Sequence, residues 1–256
     1  MENYIKELTD IHFSVQKALK TLKEDKEILL KANEDLVTSS DLHIEKNIIE
    51  MIKTKYPADH ILSEETYSDE TLKNRTWIID PIDGTSNYAS SLGLYCIQVA
   101  LYDQDDLVLS YLHLPDFNKT YHAIKNQGAF LNNQKIVCKK EENLSNALIS
   151  FIGPYKKDAK QEPLTMTYLQ KAADHNMKIR MLGSVGVELA FMAEGIFTAV
   201  YTTAKNIWDI APGLLLIKEA GGYIAPNHGK PYQMGQTLFA WQNKKQYLTF
   251  LEDKKR

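Results

Sequence analysis

Arginine is almost missing from this chain: Arg75, Arg180 and Arg256 are the only three in 256 residues. The 30 Lys plus Arg face 33 Asp plus Glu, a formal charge of -3. That balance lacks the clustered basic stripe of a nucleic-acid-binding domain. Cysteine is scarce as well. Cys96 and Cys138 are too far apart for a CxxC motif and too few for a disulfide framework, which points to a reducing cytoplasm. Long apolar runs do not occur: stretches such as 214–217 fall far below the roughly 18 residues a membrane helix needs. The start, Met1-Glu2-Asn3-Tyr4, has neither the basic flank nor the apolar core of a signal peptide. The expectation is a soluble, non-secreted protein with no nucleic-acid and no membrane partner. What is present is the balance of a globular protein, 44% hydrophobic and 25% charged, which excludes disorder for the bulk of the chain. The length allows one to two domains.

Periodicity gives a coarse map. Ile5, Leu8, Ile11, Val15, Leu19 and Leu22 recur at helical spacing, an amphipathic helix. A polar break at 31–35 precedes a second helix in which Ile44, Ile48, Met51 and Ile52 share a face and Pro57 supplies the stop. Residues 60–63 and 76–80 read as short strands. Alternating runs at 95–102, 106–114 and 119–124, punctuated by Pro115 and Asn126-Gln127-Gly128, predict an antiparallel meander. Beyond Asn146, strands near 147–151, 178–182, 197–202 and 237–241 alternate with helices near 162–175, 185–194 and 209–220, and a terminal helix follows. Residues 254–256 read as a frayed, solvated end. No internal repeat or low-complexity tract interrupts the pattern. These elements imply layered helices and mixed sheets, with a subdomain division near 145/146.

The most informative segment is Trp77-Ile78-Ile79-Asp80-Pro81-Ile82-Asp83-Gly84-Thr85-Ser86-Asn87-Tyr88. An apolar strand ends at Asp80, Pro81 blocks its extension, and two carboxylates three positions apart precede a glycine and a hydroxyl. Taken alone, Asp-Gly after a strand is turn punctuation. The Asp-x-Asp-Gly-Thr nucleophile motif of haloacid-dehalogenase-like phosphatases is excluded, because Pro81 stands where its nucleophile belongs. Ser63-Glu64-Glu65 closes another short apolar strand, and surface Glu pairs are ordinarily solvated charge. Downstream, Trp208-Asp209-Ile210-Ala211-Pro212-Gly213 opens an apolar helix that ends at Glu219-Ala220-Gly221-Gly222. Asp209 alone reads as a helix cap, and Pro212 suits a first turn, where a missing N–H costs little.

Together these segments resemble the inositol monophosphatase family, in the superfamily that also holds fructose-1,6-bisphosphatases and nucleotide 3'-phosphatases. The Asp-Pro-x-Asp-Gly-Thr-x-Asn-aromatic signature begins at Asp80, and the Trp-Asp-x-Ala-x-Gly...Glu-Ala-Gly-Gly signature begins at Trp208. Supporting matches are Asp35-Leu36-Val37-Thr38-Ser39-Ser40-Asp41, Glu64-Glu65, and Gly183-Ser184 before Val187-Glu188-Leu189-Ala190. Departures are Tyr88 for the commoner Phe and Pro212 where the family more often has Ala.

The resemblance implies an α+β fold, a layered αβαβα sandwich in one catalytic domain, and a homodimer. It implies that Glu64, Asp80, the carbonyl of Ile82, Asp83 and Asp209 hold two or three Mg2+ ions. Physical chemistry wants the same thing: converging carboxylates raise one another's pKa unless cations neutralise them, and an all-oxygen donor set selects hard ions. The seven histidines are scattered, without zinc spacing. By the same resemblance Thr85 and Asp41 orient and deprotonate the attacking water, and Glu65 lies one step further from the metal as a water ligand. Backbone N–H groups at Gly84 and Thr85 cradle phosphate, and Gly183, Ser184 and Val185 form a substrate-contacting turn. Asp41 also reads as a helix N-terminal charge, and Ser184 as a helix cap. Sensitivity to Li+ characterises the family.

The implied activity is Mg2+-dependent hydrolysis of a small phosphorylated polyol or sugar. The alternatives are a phosphatase acting on 3'-phosphoadenosine 5'-phosphate or the NADP 2'-phosphate, and a non-catalytic partner-binding scaffold. Seven residues before Asp209, animal inositol monophosphatases carry a Glu that hydrogen-bonds inositol; here the position is Thr202. A neutral hydroxyl holds a polyol less firmly than a carboxylate, so the expectation is broad specificity. The nearby Lys205 reads either as a solvated loop residue or as a charge that favours anionic substrates.

Overall fold

The computed structural model describes residues 4–22, 27–30, 36–138, 143–153, 162–226 and 230–252. The polar break at 31–35, with Asp35 of the family match, and the tail at 254–256 lie outside the described residues. In chain order the elements begin with α1 (Ile5–Lys20), the hairpin strands β1 (Ile28–Leu30) and β2 (Leu36–Thr38), and α2 (Ser39–Lys55). Then come β3 (His60–Ser63), β4 (Arg75–Asp83), the short α3 (Thr85–Ala89), β5 (Cys96–Asp103), β6 (Asp106–Leu114), β7 (Lys119–Ile124), β8 (Gly128–Leu131) and β9 (Gln134–Ile136). The second half runs β10 (Leu148–Ile152), α4 (Glu162–Asp174), β11 (Lys178–Arg180), α5 (Val185–Ala193), β12 (Ala199–Thr202), α6 (Ile207–Glu219), β13 (Tyr223–Ile224), β14 (Leu238–Trp241) and α7 (Lys244–Leu251).

Two sheets result. β3 to β9 form a seven-stranded sheet in sequence order, parallel only at β3–β4. The five-stranded sheet has the order β11-β10-β12-β14-β13, with β11, β10 and β12 parallel and β14 antiparallel to both β12 and β13. Side-chain alternation then builds the layers, because successive residues of a strand point to opposite faces. On β4, Trp77 and Ile79 join Ile11, Val15, Ile44, Ile48 and Ile52 of α1 and α2, whereas Ile78 faces the cluster that contains α5 and α6. On β12, Val200 faces that same cluster, and Ala199 and Tyr201 face Ala172 of α4 and Phe250 of α7. The layers are therefore α1/α2, the large sheet, α5/α6, the small sheet and α4/α7, the αβαβα sandwich expected. β4, β5, β6, β10, β12 and β14 are buried along nearly their whole length, whereas β7, β9 and β11 keep partly exposed residues. Among the described residues, no helix is long and apolar enough to cross a membrane.

Most boundaries shift by one or two residues, and two of the differences, both at prolines, bear on the site. β4 does not stop at Asp80 but continues through Pro81 to Asp83. Its neighbour β3 has already ended, at the pair Ser63–Ile79, so on that side no carbonyl awaits the N–H that Pro81 lacks. Helix α6 starts at Ile207, two residues before Asp209, because Ile207 and Trp208 already pack against the central cluster. Pro212 consequently lies inside the helix rather than in its first turn, and the Trp208 carbonyl receives no N–H from it. The Pro212 carbonyl, in turn, accepts the hydroxyl of Ser110 on β6 at 2.6 Å.

The middle layer owes its tightness to Gly213. A Cβ there would lie 2.4 Å from Leu189 Cδ1 and 2.7 Å from Leu189 Cβ, so α5 and α6 could not keep their separation. Gly213→Ala gains helix propensity of about 1 kcal/mol but overpacks the interface by about 1–3 kcal/mol. The expected net result is lower stability in urea unfolding; a variant at least as stable as the parent would show that the layer is looser than described.

Candidate active site

Two carboxylates three residues apart on a regular strand face opposite ways. Asp80 and Asp83 escape this because β4 and β5 change register between them: Asp80 pairs with Gln98 and Asp83 with Cys96, three residues of β4 against two of β5. The extra residue is a β-bulge, which bends a strand and re-aims the side chains beyond it. Ile82 turns into the α1/α2 cluster, and Asp83 joins Asp80 on the side of the middle helices. Asp209, in the first turn of α6, completes the group. One carboxylate oxygen from each of Asp80, Asp83 and Asp209 lies within 4.8 Å of the other two.

Asp83 is the most firmly held of the three. Its carboxylate accepts the Ser184 hydroxyl, the N–H of Val185 at 3.3 Å and the N–H of Gly186 at 2.6 Å, all at the start of α5. Free donors and the helix dipole at that terminus favour a negative charge. Gly186 makes the approach possible, since a Cβ there would lie 2.5 Å from Cys96 Sγ and 3.1 Å from Asp83 Oδ2. Burial nevertheless outweighs these bonds and, with a push from Glu64, moves the Asp83 pKa up to about 6.

Asp80 has less support. Gln98 Nε2 donates to its Oδ2 at 3.3 Å, and its Oδ1 is buried without a hydrogen-bond partner. Burial first, then the charges of Glu64, Asp83 and Asp209, raise its pKa well above the ordinary carboxylate range. An orphaned anionic oxygen inside an all-oxygen cluster is what a hard divalent cation would satisfy. The residues present therefore fit Mg2+.

Glu64 stands outside the 4.8 Å group, but its charge also acts on Asp41. Its N–H donates to the Ile79 carbonyl at 3.2 Å, which fixes the chain beside Asp80. The next residues are anchored from α2: buried Glu45 accepts the N–H of Glu65 at 3.0 Å and of Thr66 at 3.3 Å, and the Thr66 hydroxyl as well. Asp41 is the third helical residue of α2 and forms a capping box with Thr38, whose N–H and hydroxyl it accepts at 2.8 and 2.5 Å. Its other oxygen lies 3.5 Å from Thr85 Oγ1, which donates to the Ile82 carbonyl at 3.0 Å. Burial above all pushes the Asp41 pKa up to about 6. Asp41 is thus both the helix N-terminal charge and a neighbour of Thr85.

Gly84 and Gly183 both adopt positive φ, +90° and +81°, a conformation that favours glycine. A Cβ at Gly84 would lie 2.9 Å from Ser184 Cβ, and one at Gly183 would meet the Asn87 amide at 3.4 Å, so the two turns pack face to face. Asn87 ties them by donating to the carbonyls of Leu94 and Leu182, both at 2.7 Å. Ser184 is indeed a helix cap, accepting the Val187 N–H at 3.3 Å, and it also donates to Asp83. Thr202 is fully buried at the end of β12, and its hydroxyl accepts the Ala204 N–H at 3.1 Å.

Sequence reading passed over Glu45, Gln98, Gly186 and Glu188 as parts of this site. Two of them carried a signal. Every residue of α5 is buried and Glu188 is its single charge; a lone carboxylate there has no access to water and must be held internally. Glu45 is a buried charge in α2, adjacent in sequence to the apolar stripe.

Comparison with known proteins agrees with this geometry. The inositol monophosphatase family matches residues 5–253. An inositol monophosphatase of Dictyostelium discoideum is 35% identical over 210 residues, 80% of this chain and 77% of that protein. A fructose-1,6-bisphosphatase/inositol-1-monophosphatase of Thermotoga maritima is 31% identical over 209 residues, 82% and 78% of the two chains. Among solved structures, a Thermotoga maritima IMPase superposes with a TM-score of 0.83 at 25% identity, covering 98% of this chain and 95% of the other. An IMPase/NADP phosphatase solved with Mg2+ and phosphate superposes with a TM-score of 0.80 at 27% identity, covering 96% and 92%. The bulged strand with its paired aspartates, the αβαβα layering and these likenesses over most of the chain lead to one conclusion: this chain belongs to the inositol monophosphatase family.

Proposed function

We propose that this chain hydrolyses small phosphomonoesters with Mg2+ and that the whole of it serves as one catalytic domain. The observation that carries the reading is the convergence of Asp80, Asp83 and Asp209 within 4.8 Å around a buried oxygen of Asp80 that has no hydrogen-bond partner. Glu64, the Ile82 carbonyl and these three aspartates would hold two or three ions. When bound, Mg2+ supplies the positive charge that a dianionic phosphate and its departing alkoxide require. That contribution is necessary, because phosphomonoester hydrolysis is among the slowest uncatalysed reactions and a general base adds only about 10^2 to 10^4. A partner-binding scaffold has no use for buried, mutually repelling carboxylates, which disfavours the non-catalytic alternative.

In this reading Thr85 and Asp41 align the attacking water, and Asp41 takes up its proton by way of the Thr85 hydroxyl. A carboxylate whose pKa is pushed up to about 6 is a stronger base than an ordinary one. The oxygen–phosphorus bond to the new hydroxyl forms as the ester bond breaks, and the alkoxide takes a proton from solvent water and leaves as an alcohol. Glu65 holds water at the edge of the site. Gly84, Thr85, Gly183, Ser184 and Val185 supply backbone contacts to the substrate, with no covalent enzyme intermediate. A homodimer and Li+ inhibition complete the proposal. Sedimentation velocity tests the first, and replacing KCl by LiCl at constant ionic strength tests the second; a monomer, or equal rates in both salts, would count against them.

Replacing Asp83 by Asn removes one negative charge but keeps an acceptor for the Ser184 and Gly186 donors. Turnover is expected to fall at least 100-fold with the melting temperature maintained, and excess EDTA is expected to silence the parent. Full activity in either case would eliminate the metal mechanism.

The substrate follows from the Thr202 position. Thr202 presents no carboxylate to grip inositol, and its buried hydroxyl is engaged by the Ala204 N–H, so kcat/KM is expected to be similar for inositol 1-phosphate, sugar phosphates and nucleotide 2'- and 3'-phosphates. The nucleotide alternative keeps its place in that panel because of the likeness to an IMPase/NADP phosphatase. A preference for inositol 1-phosphate above about 100-fold, roughly 2.7 kcal/mol, would contradict the role given to Thr202.

A further inference from the structure

The helix α5 delivers the donors that hold Asp83, yet those donors are only as well placed as the turn before them. That turn, at 182–184, has no regular secondary structure and contains Gly183 at φ +81°. From the α3 side, Asn87 donates to the Leu182 carbonyl at 2.7 Å. On the inside, Glu188 Oε1 accepts the Leu182 N–H at 2.6 Å. Both polar groups of one peptide residue are therefore gripped by side chains from two different helices. Glu188 is fully buried, and a buried carboxylate is costly unless its bonds repay the desolvation.

We propose that Glu188 is a positioning residue: it holds the turn at 182–184 so that Ser184, Val185 and Gly186 keep Asp83 in its metal-binding orientation. The links are continuous. Glu188 fixes Leu182, Gly183 reverses the chain against Asn87, Ser184 donates to Asp83, and the N–H groups of Val185 and Gly186 complete the grip. The turn also packs on Gly84, where a Cβ would lie 2.9 Å from Ser184 Cβ, so a displaced turn would disturb both proposed substrate-contacting segments.

The second oxygen identifies the protonation state in which this works. Glu188 Oε2 is buried without a hydrogen-bond partner. The nearby Ser150 hydroxyl gives its proton to the Arg180 carbonyl at 3.2 Å and keeps lone pairs free. A protonated Glu188 would carry a hydrogen-bond donor at one oxygen and still accept at the other. Burial, the main cause, moves its pKa up to about 8, in agreement. Glutamine has the same shape with the same donor and acceptor, whereas alanine or leucine leaves the Leu182 N–H without a partner.

The inference rests on the phosphatase reading above, and the test separates the two. Glu188→Gln, Glu188→Ala and Glu188→Leu are compared with the parent for melting temperature, for Mg2+ affinity by calorimetry, and for kcat and KM at saturating Mg2+. The Gln variant is expected to stay within about threefold of the parent in Mg2+ affinity and kcat. The Ala and Leu variants, folded, are expected to lose at least tenfold in both. Folded Ala or Leu variants with parental Mg2+ affinity and kcat overturn the proposal, and so does a Gln variant that falls as far as Ala. Should Ala and Leu fail to fold, Glu188→Asp, one methylene short, replaces them: Asp well below Gln supports the role, and Asp equal to Gln overturns it. If the parent cleaves no phosphomonoester, the phosphatase reading fails, while Mg2+ calorimetry still decides the role of Glu188.

Discussion

Mutual repulsion among buried carboxylates is the constraint around which this structure is arranged. Asp80 and Asp83 are buried, Asp209 is half-buried, and Glu64 adds its field to two of them. In water such groups would stay apart; here strand and helix termini force them together. Each raised pKa is a record of that opposition, since burial and like charge both disfavour the ionised form. The fold must therefore supply stability elsewhere, and a divalent cation supplies it locally when bound.

Each layer contributes one part of the arrangement. The large sheet provides the bulge that turns Asp83 to the same side as Asp80. The middle helices present their N-terminal ends, α5 giving N–H donors to Asp83 and α6 carrying Asp209 in its first turn. Their positive dipole ends partly offset the concentrated negative charge. Close α5–α6 contact at Gly213 and the approach at Gly186 depend on the absence of a side chain. From the outer layer, α2 contributes Asp41 and, through Glu45, steadies the segment that carries Glu64 and Glu65.

Much of this was legible in the sequence because it rests on local rules. Helical and alternating periodicity located the main elements from α1 to α7, and the acidic signatures identified the family. What escaped depended on partners distant in sequence. Pro81 reads as a strand stop until β3 is seen to end beside it, and Pro212 reads as a first-turn residue until Ile207 and Trp208 are seen to pack in the core. The hairpin β1–β2, α3 and the edge strand β13 are too short to announce themselves. Glu45 sits in a helical pattern where a charge is ordinarily a solvated one, and Glu188 stands out only as the lone charge of an apolar helix; the packing of loops 64–66 and 182–184 against them gives each its internal task.

The mechanism requires that Asp80, Asp83 and Asp209 surround a divalent cation. Anomalous diffraction from crystals grown with Mn2+, a magnesium substitute visible by its own scattering, addresses this directly. A peak within about 2.0–2.3 Å of oxygens from all three aspartates is expected. A peak placed elsewhere, or none at saturating Mn2+, would contradict it.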